Sequence, residues 1–232
     1  MDIEDYSKIA PQYYSGDIPE LLEYYLKRSA WNSLLDCGCG DGSLLYALNA
    51  KKYFENKQIY AVDLSRNRIN LVKKINPKIQ AYVDSAEDLK TIKDESIDFF
   101  VSTQVIEHVD DKKMLSEIFK VVKKKGTAYI STVHKKWYGW YFYRNKGRWV
   151  LDPTHVREYS SDEQLFNIID KSKFKILENK KTLQEFPILD FFINRLEIKN
   201  RELYRSNFIK IMRKIKIPII GYYNWEIVLK KL

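Results

Sequence analysis

The chain has 232 residues, 45% of them hydrophobic, and a formal net charge of +9. That length suits one decorated domain with a sizeable core, and no apolar run approaches the roughly 20 residues that a membrane-spanning helix needs. The acidic start, Met1-Asp2-Ile3-Glu4-Asp5, has no signal-peptide layout, and Cys37 and Cys39 stand too close for a normal bridge, which predicts free thiols in a reducing, cytoplasmic setting.

In chain order, the apolar run Trp31 to Leu35 predicts a buried strand and Ser43 to Ala50 a helix. Between them lies Asp36-Cys37-Gly38-Cys39-Gly40-Asp41-Gly42, with glycines at alternate positions. Such a turn lets a ligand approach the backbone and meet amides at a helix N-terminus, a nucleotide-type site; the alternative is a tight turn in some other α/β protein. The spacing departs from the dinucleotide pattern Gly-x-Gly-x-x-Gly, because Ser43 stands where its third glycine would fall. Gln58 to Val62 predicts a second strand running into Asp63, about 20 residues past the glycines, the offset of a carboxylate that accepts from ribose hydroxyls.

Arg66 to Ile75 predicts a helix stopped by Pro77, and Ile79 to Val83 and Ser96 to Ser102 two further strands. Lys112 to Lys123 predicts a helix closed by Lys124-Lys125 and a Gly126 cap, followed by a strand from Thr127 to Val133. Phe174 to Leu177 and Trp225 to Leu229 predict the last two strands. Between them Tyr204, Phe208, Ile211, Met212 and Ile215 recur at helical spacing among Arg205, Lys210, Arg213, Lys214 and Lys216, a basic amphipathic helix. The alternation of strands and helices predicts an α/β fold with a parallel sheet covered on both faces.

The Asp36–Gly42 turn with Asp63 resembles the class I S-adenosylmethionine-dependent methyltransferases, in particular their small-molecule, ubiquinone-pathway branch. Other landmarks follow in the family's order: Tyr6–Tyr14 at the N-terminus, Asp84–Leu89, Ser96–Asp98, Ile106–Val109, Lys123–Gly126 and His155–Ser160. The resemblance implies a Rossmann-like seven-stranded, mostly parallel sheet with an antiparallel last strand and a helical insert before it. It implies N-terminal cofactor-capping helices over 1–30, a core over 31–180 with an acceptor-side insert at 134–160, and a basic insert plus final strand over 181–232. It also implies S-adenosylmethionine as cofactor, met by Tyr13, Asp36, Gly38, Gly40, Gly42, Asp63, Leu64, Asp84, Ser85, Ala86 and Gln104.

The chain's three histidines, His108, His134 and His155, all fall at or after predicted C-terminal strand edges, where open α/β sheets place ligands; they are the candidates for a general base. Glu107-His108 is similar to the Glu-x-x-Glu-His of the metal-dependent ubiquinone-pathway and small-RNA methyltransferases, with Gln104 in place of the first carboxylate. Losing that charged oxygen weakens a hard-cation site, so no metal is expected, Glu107 and His108 being its candidates. Trp137, Tyr138 and Tyr141, in a run of aromatic and basic residues, and Arg157 are the candidate acceptor wall.

Charge is uneven: Met1–Asp170 holds 25 basic and 25 acidic residues, Lys171–Leu232 holds 15 and 6. The skew suits an acidic partner, nucleic acid or an anionic membrane surface, or simply a solvated face. The expected function is methyl transfer to oxygen of a small-molecule, glycan or lipid-linked acceptor by an enzyme that is cytoplasmic or peripheral to a membrane. An RNA methyltransferase and a non-catalytic cofactor-binding scaffold are the alternatives.

Overall fold

The computed structural model describes residues 17–145, 147–171, 173–189, 192 and 206–232, apart from the side chains of 207 and 210. Its elements are α1 (Glu20–Arg28), β1 (Ser33–Cys37), α2 (Ser43–Ala50), β2 (Gln58–Asp63), α3 (Arg66–Ile75), β3 (Gln80–Val83), β4 (Ile97–Thr103), α4 (Asp111–Val121), β5 (Val122–Lys135), β6 (Tyr143–Asn145), β7 (Arg148–Val150), α5 (Asp162–Phe166), β8 (Phe174–Pro187), α6 (Asn207–Met212) and β9 (Lys216–Lys231). Seven strands form one sheet in the order β3-β2-β1-β4-β5-β9-β8. β1 to β5 run parallel, and β9 lies antiparallel between β5 and β8. The order reverses between β1 and β4, which opens a crevice at their C-terminal ends.

Side-chain alternation divides the core between the two faces of the sheet. Leu35, Cys37, Phe100, Ala128, Ile130 and Trp225 pack with Met114, Ile118 and Leu165 on one face. Leu34, Ile59, Ala61, Phe99, Val101 and Tyr129 pack with Leu22, Leu48 and Val72 on the other. β1 is buried along its whole length, as expected of a strand covered on both sides. The helices start on matched caps: Ser65 accepts from Arg68 N for α3, and Asp110 accepts from Lys112 N and Lys113 N for α4.

Lys123–Gly126 does not form a helical C-cap. Val122, after α4, is already extended, and the register between β4 and β5 jumps from Ile97–Val122 to Phe99–Thr127. Lys123–Gly126 therefore bulges from the start of β5, with Lys123 Nζ 2.8 Å from Asp98 Oδ1. Lys125 rather than Gly126 takes the left-handed conformation; glycine is needed at 126 because a Cβ would lie 2.8 Å from Lys123 O.

The C-terminal part is more extended than its sequence suggests. β8 has 14 residues and β9 has 16, and the outer half of each is largely exposed or half-buried. The boundary expected at 180 falls inside β8. The basic helix shortens to the six residues of α6; Ile215 lies beyond it, and Tyr204 and Arg205 lie outside the described residues. The aromatic segment contains the β6–β7 hairpin. Among the described residues no helix is long and apolar enough to cross a membrane.

Trp225 closes this architecture: fully buried, it touches Tyr159, Phe166 and His134 and donates its indole N–H to Asn179 Oδ1 at 2.5 Å. Trp225→Ala is expected to cost about 3–5 kcal/mol of stability through the cavity it leaves, measured as a lower urea midpoint with an unchanged slope.

Candidate active site

The end of β2 holds the glycine turn. Gly38 N and Cys39 N both donate to Val62 O, at 2.8 and 3.0 Å, and Gly40 N donates to Asp63 Oδ2 at 2.9 Å. Asp63 Oδ1 accepts from Ser65 N at 2.9 Å, and Arg68 Nη1 lies 3.7 Å from Oδ2. Gly38 has φ +74°, and a Cβ there would fall 2.3 Å from Val105 Cγ2. Gly40, at φ +55°, is the opposite case, since among the described residues a Cβ there would meet nothing within 4 Å. Gly42 caps α2 behind it.

Asp36 sits beneath the turn, 1% exposed, and neither of its carboxylate oxygens has a hydrogen-bond partner among the described residues. Burial, reinforced by the nearby Asp63 charge, pushes its pKa up to about 7. An orphaned carboxylate is stable there only when a cation or donor meets it. At the next strand end Asp84 closes its own loop rather than pointing outward. Its Oδ1 accepts from Ser85 N, and its Oδ2 accepts from Thr91 N at 2.8 Å and Thr91 Oγ1 at 2.6 Å. Ala86 is buried in that loop, and Leu64 leaves an exposed apolar side chain beside Asp63. Tyr13 lies outside the described residues.

After β4, Gln104 takes φ +55°, uncommon for a residue with a Cβ. Its amide donates to Asn224 Oδ1 at 3.1 Å. Val105 then fills the space against Gly38, and Glu107, His108 and His155 converge, with one donor atom from each all within 4.8 Å of one another. Glu107 is fully buried: Oε2 accepts from Thr132 Oγ1 at 2.9 Å, Oε1 has no partner among the described residues, and burial lifts its pKa to about 7. The His108 and His155 rings meet edge to face at 4.8 Å, and burial, then the facing His155, lowers the His108 pKa. Glu107 O accepts from Val156 N and Arg157 N, which clasps the 152–157 segment onto this cluster. One carboxylate and two imidazoles could hold a divalent cation.

Glu158, inside the His155–Ser160 landmark but assigned no role from it, organises the other side. Its Oε1 accepts from His155 Nδ1 at 2.9 Å and Leu151 N at 2.6 Å, and its Oε2 accepts from Tyr222 Oη at 3.2 Å, with Lys135 Nζ 3.6 Å away. The signal was the i,i+3 pair His155-x-x-Glu158. In a neutral ring this bond puts the proton on Nδ1 and leaves Nε2 as an acceptor.

Other expected residues sit elsewhere. His134 is buried apart from this cluster, against Trp225 and Tyr223, with Nε2 3.9 Å from Asp162 Oδ1; burial holds its pKa down. Arg157 is committed to structure, donating to Ile106 O and Val109 O and pairing with Asp111, so it is not presented to an acceptor. Trp137 stands 93% exposed, which places it on a rim rather than in a pocket wall. Tyr141 packs on Phe186 and beside Val133, Ile219 and Tyr222, and Tyr138 shares a hydrogen bond with Tyr223.

A methyltransferase domain model matches residues 35–130, the span from β1 into β5 that carries the glycine turn, Asp63 and the Gln104–His108 segment. Over that span the chain is similar to the class I S-adenosylmethionine-dependent methyltransferases. The mitochondrial ubiquinone biosynthesis O-methyltransferase of Saccharomyces cerevisiae is 27% identical over 201 residues, which are 77% of this chain and 62% of the yeast protein. The chain thus spans under two thirds of that relative's length. The [4+2]-cyclase SpnF superposes with a TM-score of 0.62 at 17% identity, covering 96% of this chain and 87% of its own. A geranyl diphosphate methyltransferase solved with its cofactor superposes with a TM-score of 0.60 at 14% identity, covering 91% and 84%. Both show a shared fold. One of them is a cyclase, so fold alone does not assign chemistry.

The residues of this site fit S-adenosylmethionine. The orphaned Asp36 carboxylate suits a ligand that carries a sulfonium and an ammonium, the bare backbone of Gly40 lets it approach, and Asp63 retains accepting capacity for ribose hydroxyls. Because the folded-state pKa of Asp36 is raised above the unfolded value of about 3.9, the ligand-free protein binds the extra proton and loses stability as pH rises towards about 7. Asp36→Asn is expected to remove that loss, stabilising the ligand-free protein at pH 8 relative to pH 5. It should weaken cofactor binding by about 1.5–3 kcal/mol. Denaturant melts at both pH values and calorimetric titration read the two opposite effects.

Proposed function

We propose that this methyltransferase transfers a methyl group to the hydroxyl oxygen of a small-molecule acceptor, with His155 as general base and Glu158 as its positioning residue. The observation that carries this reading is the Glu158–His155 hydrogen bond. It holds the His155 ring against His108, in the segment that follows Val105. The yeast relative's name, an O-methyltransferase, supports oxygen as the acceptor atom.

The cofactor supplies an activated methyl group and a neutral thioether leaving group. The chain's residues supply alignment and a place for the proton. With the cofactor bound, His155 Nε2 accepts the proton that the acceptor hydroxyl gives up as its oxygen is methylated. Glu158 stabilises the imidazolium. Tyr138 and Tyr141, in the aromatic segment after β5, suit an acceptor with a planar ring.

Glu107 Oε1, fully buried and unpartnered among the described residues, favours a second reading. In it Glu107, His108 and His155 hold a divalent cation that acidifies the acceptor hydroxyl. The two readings separate with a chelator. Under the first, EDTA-treated enzyme turns over normally and His155→Ala lowers kcat by about 10²–10⁴-fold with cofactor affinity unchanged. In addition, Glu158→Gln shifts the acidic limb of the pH–rate profile. Activity lost to EDTA and restored by Mg²⁺ or Mn²⁺ would assign the cation instead. Wild-type turnover in both variants would sink the base. Screens begin with phenols and sugars; methylation of RNA alone would move the chain to the nucleic-acid class.

A further inference from the structure

Beyond the crevice, one end of the molecule combines apolar exposure with positive charge. The loop after β5 is stitched to β9: Lys136 N donates to Gly221 O at 2.8 Å and Trp140 N to Ile220 O at 3.2 Å, with Gly139 and Gly221 in close contact. Tyr141 packs on Phe186 of β8, and Ile188 N donates to Ile215 O. The loop, the outer end of the β8–β9 ribbon and the turn after α6 thus form one tip. On it Trp137, Phe142, Ile211, Ile215, Ile217 and Ile220 are all exposed, Ile220 by 63%. Residues 135–150 and 206–221 hold nine Lys and Arg and no Asp or Glu.

We infer that this tip is a docking surface for an anionic phospholipid bilayer. Aliphatic Ile side chains need an apolar phase, and they offer nothing to stack on a nucleic-acid base. Trp and Tyr favour the interfacial zone, and Lys and Arg stems lie along apolar surface while their heads meet phosphates. A two-fold pairing of the tip with itself would oppose like charges across the interface. The bilayer meets both features at once.

The tip lies at the C-terminal end of β5, the sheet edge that also carries Gln104–His108. Docking would turn this edge towards the membrane, so the acceptor would be an amphiphile drawn from the lipid phase; that last step rests on the proposed methyl transfer, whereas the docking does not.

The test is co-sedimentation of the full chain with phosphatidylcholine vesicles, with and without phosphatidylglycerol. Calorimetric titration of S-adenosylmethionine is run on the same preparation. Partition onto the anionic vesicles is expected, with little onto pure phosphatidylcholine. Phe142→Ser with Ile220→Ser is expected to weaken it about tenfold, as lost apolar burial, and Lys214→Gln with Lys216→Gln similarly. A cofactor-competent wild type that fails to partition overturns the surface. So does partition indifferent to the apolar pair, tighter binding to RNA than to vesicles, or a dimer broken by the apolar pair. Partition without any cofactor binding would instead overturn the proposed methyl transfer and leave the surface standing.

Discussion

The rest of the site depends on how the end of β2 grips the end of β1. Two consecutive amides of the turn share Val62 O, and the next free amide is held by the Asp63 carboxylate. Those three bonds fix a backbone that must be left-handed at Gly38 and bare at Gly40. Because Val105 fills the volume beside Gly38, the same grip sets where the chain leaves β4. The positions of Gln104, Glu107 and His108 follow from that exit, and the clasp of Val156 and Arg157 on Glu107 O brings His155 to join them. A side chain at position 38 would disturb the glycine turn and the Gln104–His108 segment together.

Two buried carboxyls stand on either side of this junction, and they share a physical character. Asp36 and Glu107 are each shielded from water and incompletely hydrogen-bonded, and each is held towards its neutral form by burial. The fold forgoes stability at both places. Such conflict between local chemistry and burial is the usual mark of a position kept for a ligand. By contrast the buried Lys231 is fully occupied, donating to Glu95, Phe119 O and Val122 O, and it belongs to the architecture alone.

Much of this was legible in the sequence because the strands of a parallel sheet are buried on both faces and their helices carry one apolar stripe. Ser43–Ala50 and Arg66–Ile75 are read to the residue on that basis. Glycine and carboxylate spacing likewise fixed the turn and Asp63. The ribbon was not legible, because the outer halves of β8 and β9 are exposed or half-buried, so no alternation marks them, and Pro218 argues against a strand. The Lys123–Gly126 bulge is set by Asp98, a partner 25 residues away that helical periodicity does not report. Nor does sequence reveal that the Arg157 guanidinium is consumed by backbone carbonyls while its neighbour Glu158 aligns the histidine.

The place of β9 has a further consequence for how the chain is made. This strand fills the gap between β5 and β8, so Thr127 pairs with Lys230 and His134 with Tyr223, contacts that bridge about 90–100 residues. During synthesis the flank of β5 stays an open, unpaired edge until those residues leave the ribosome. The β1–β4 part, built from neighbouring strands, can assemble early, whereas the flank of β5 must wait for the last strand. A nascent chain therefore passes through a stage in which the glycine turn can close while β5 still offers a bare edge to other chains, and the speed at which β9 arrives sets how long that exposure lasts.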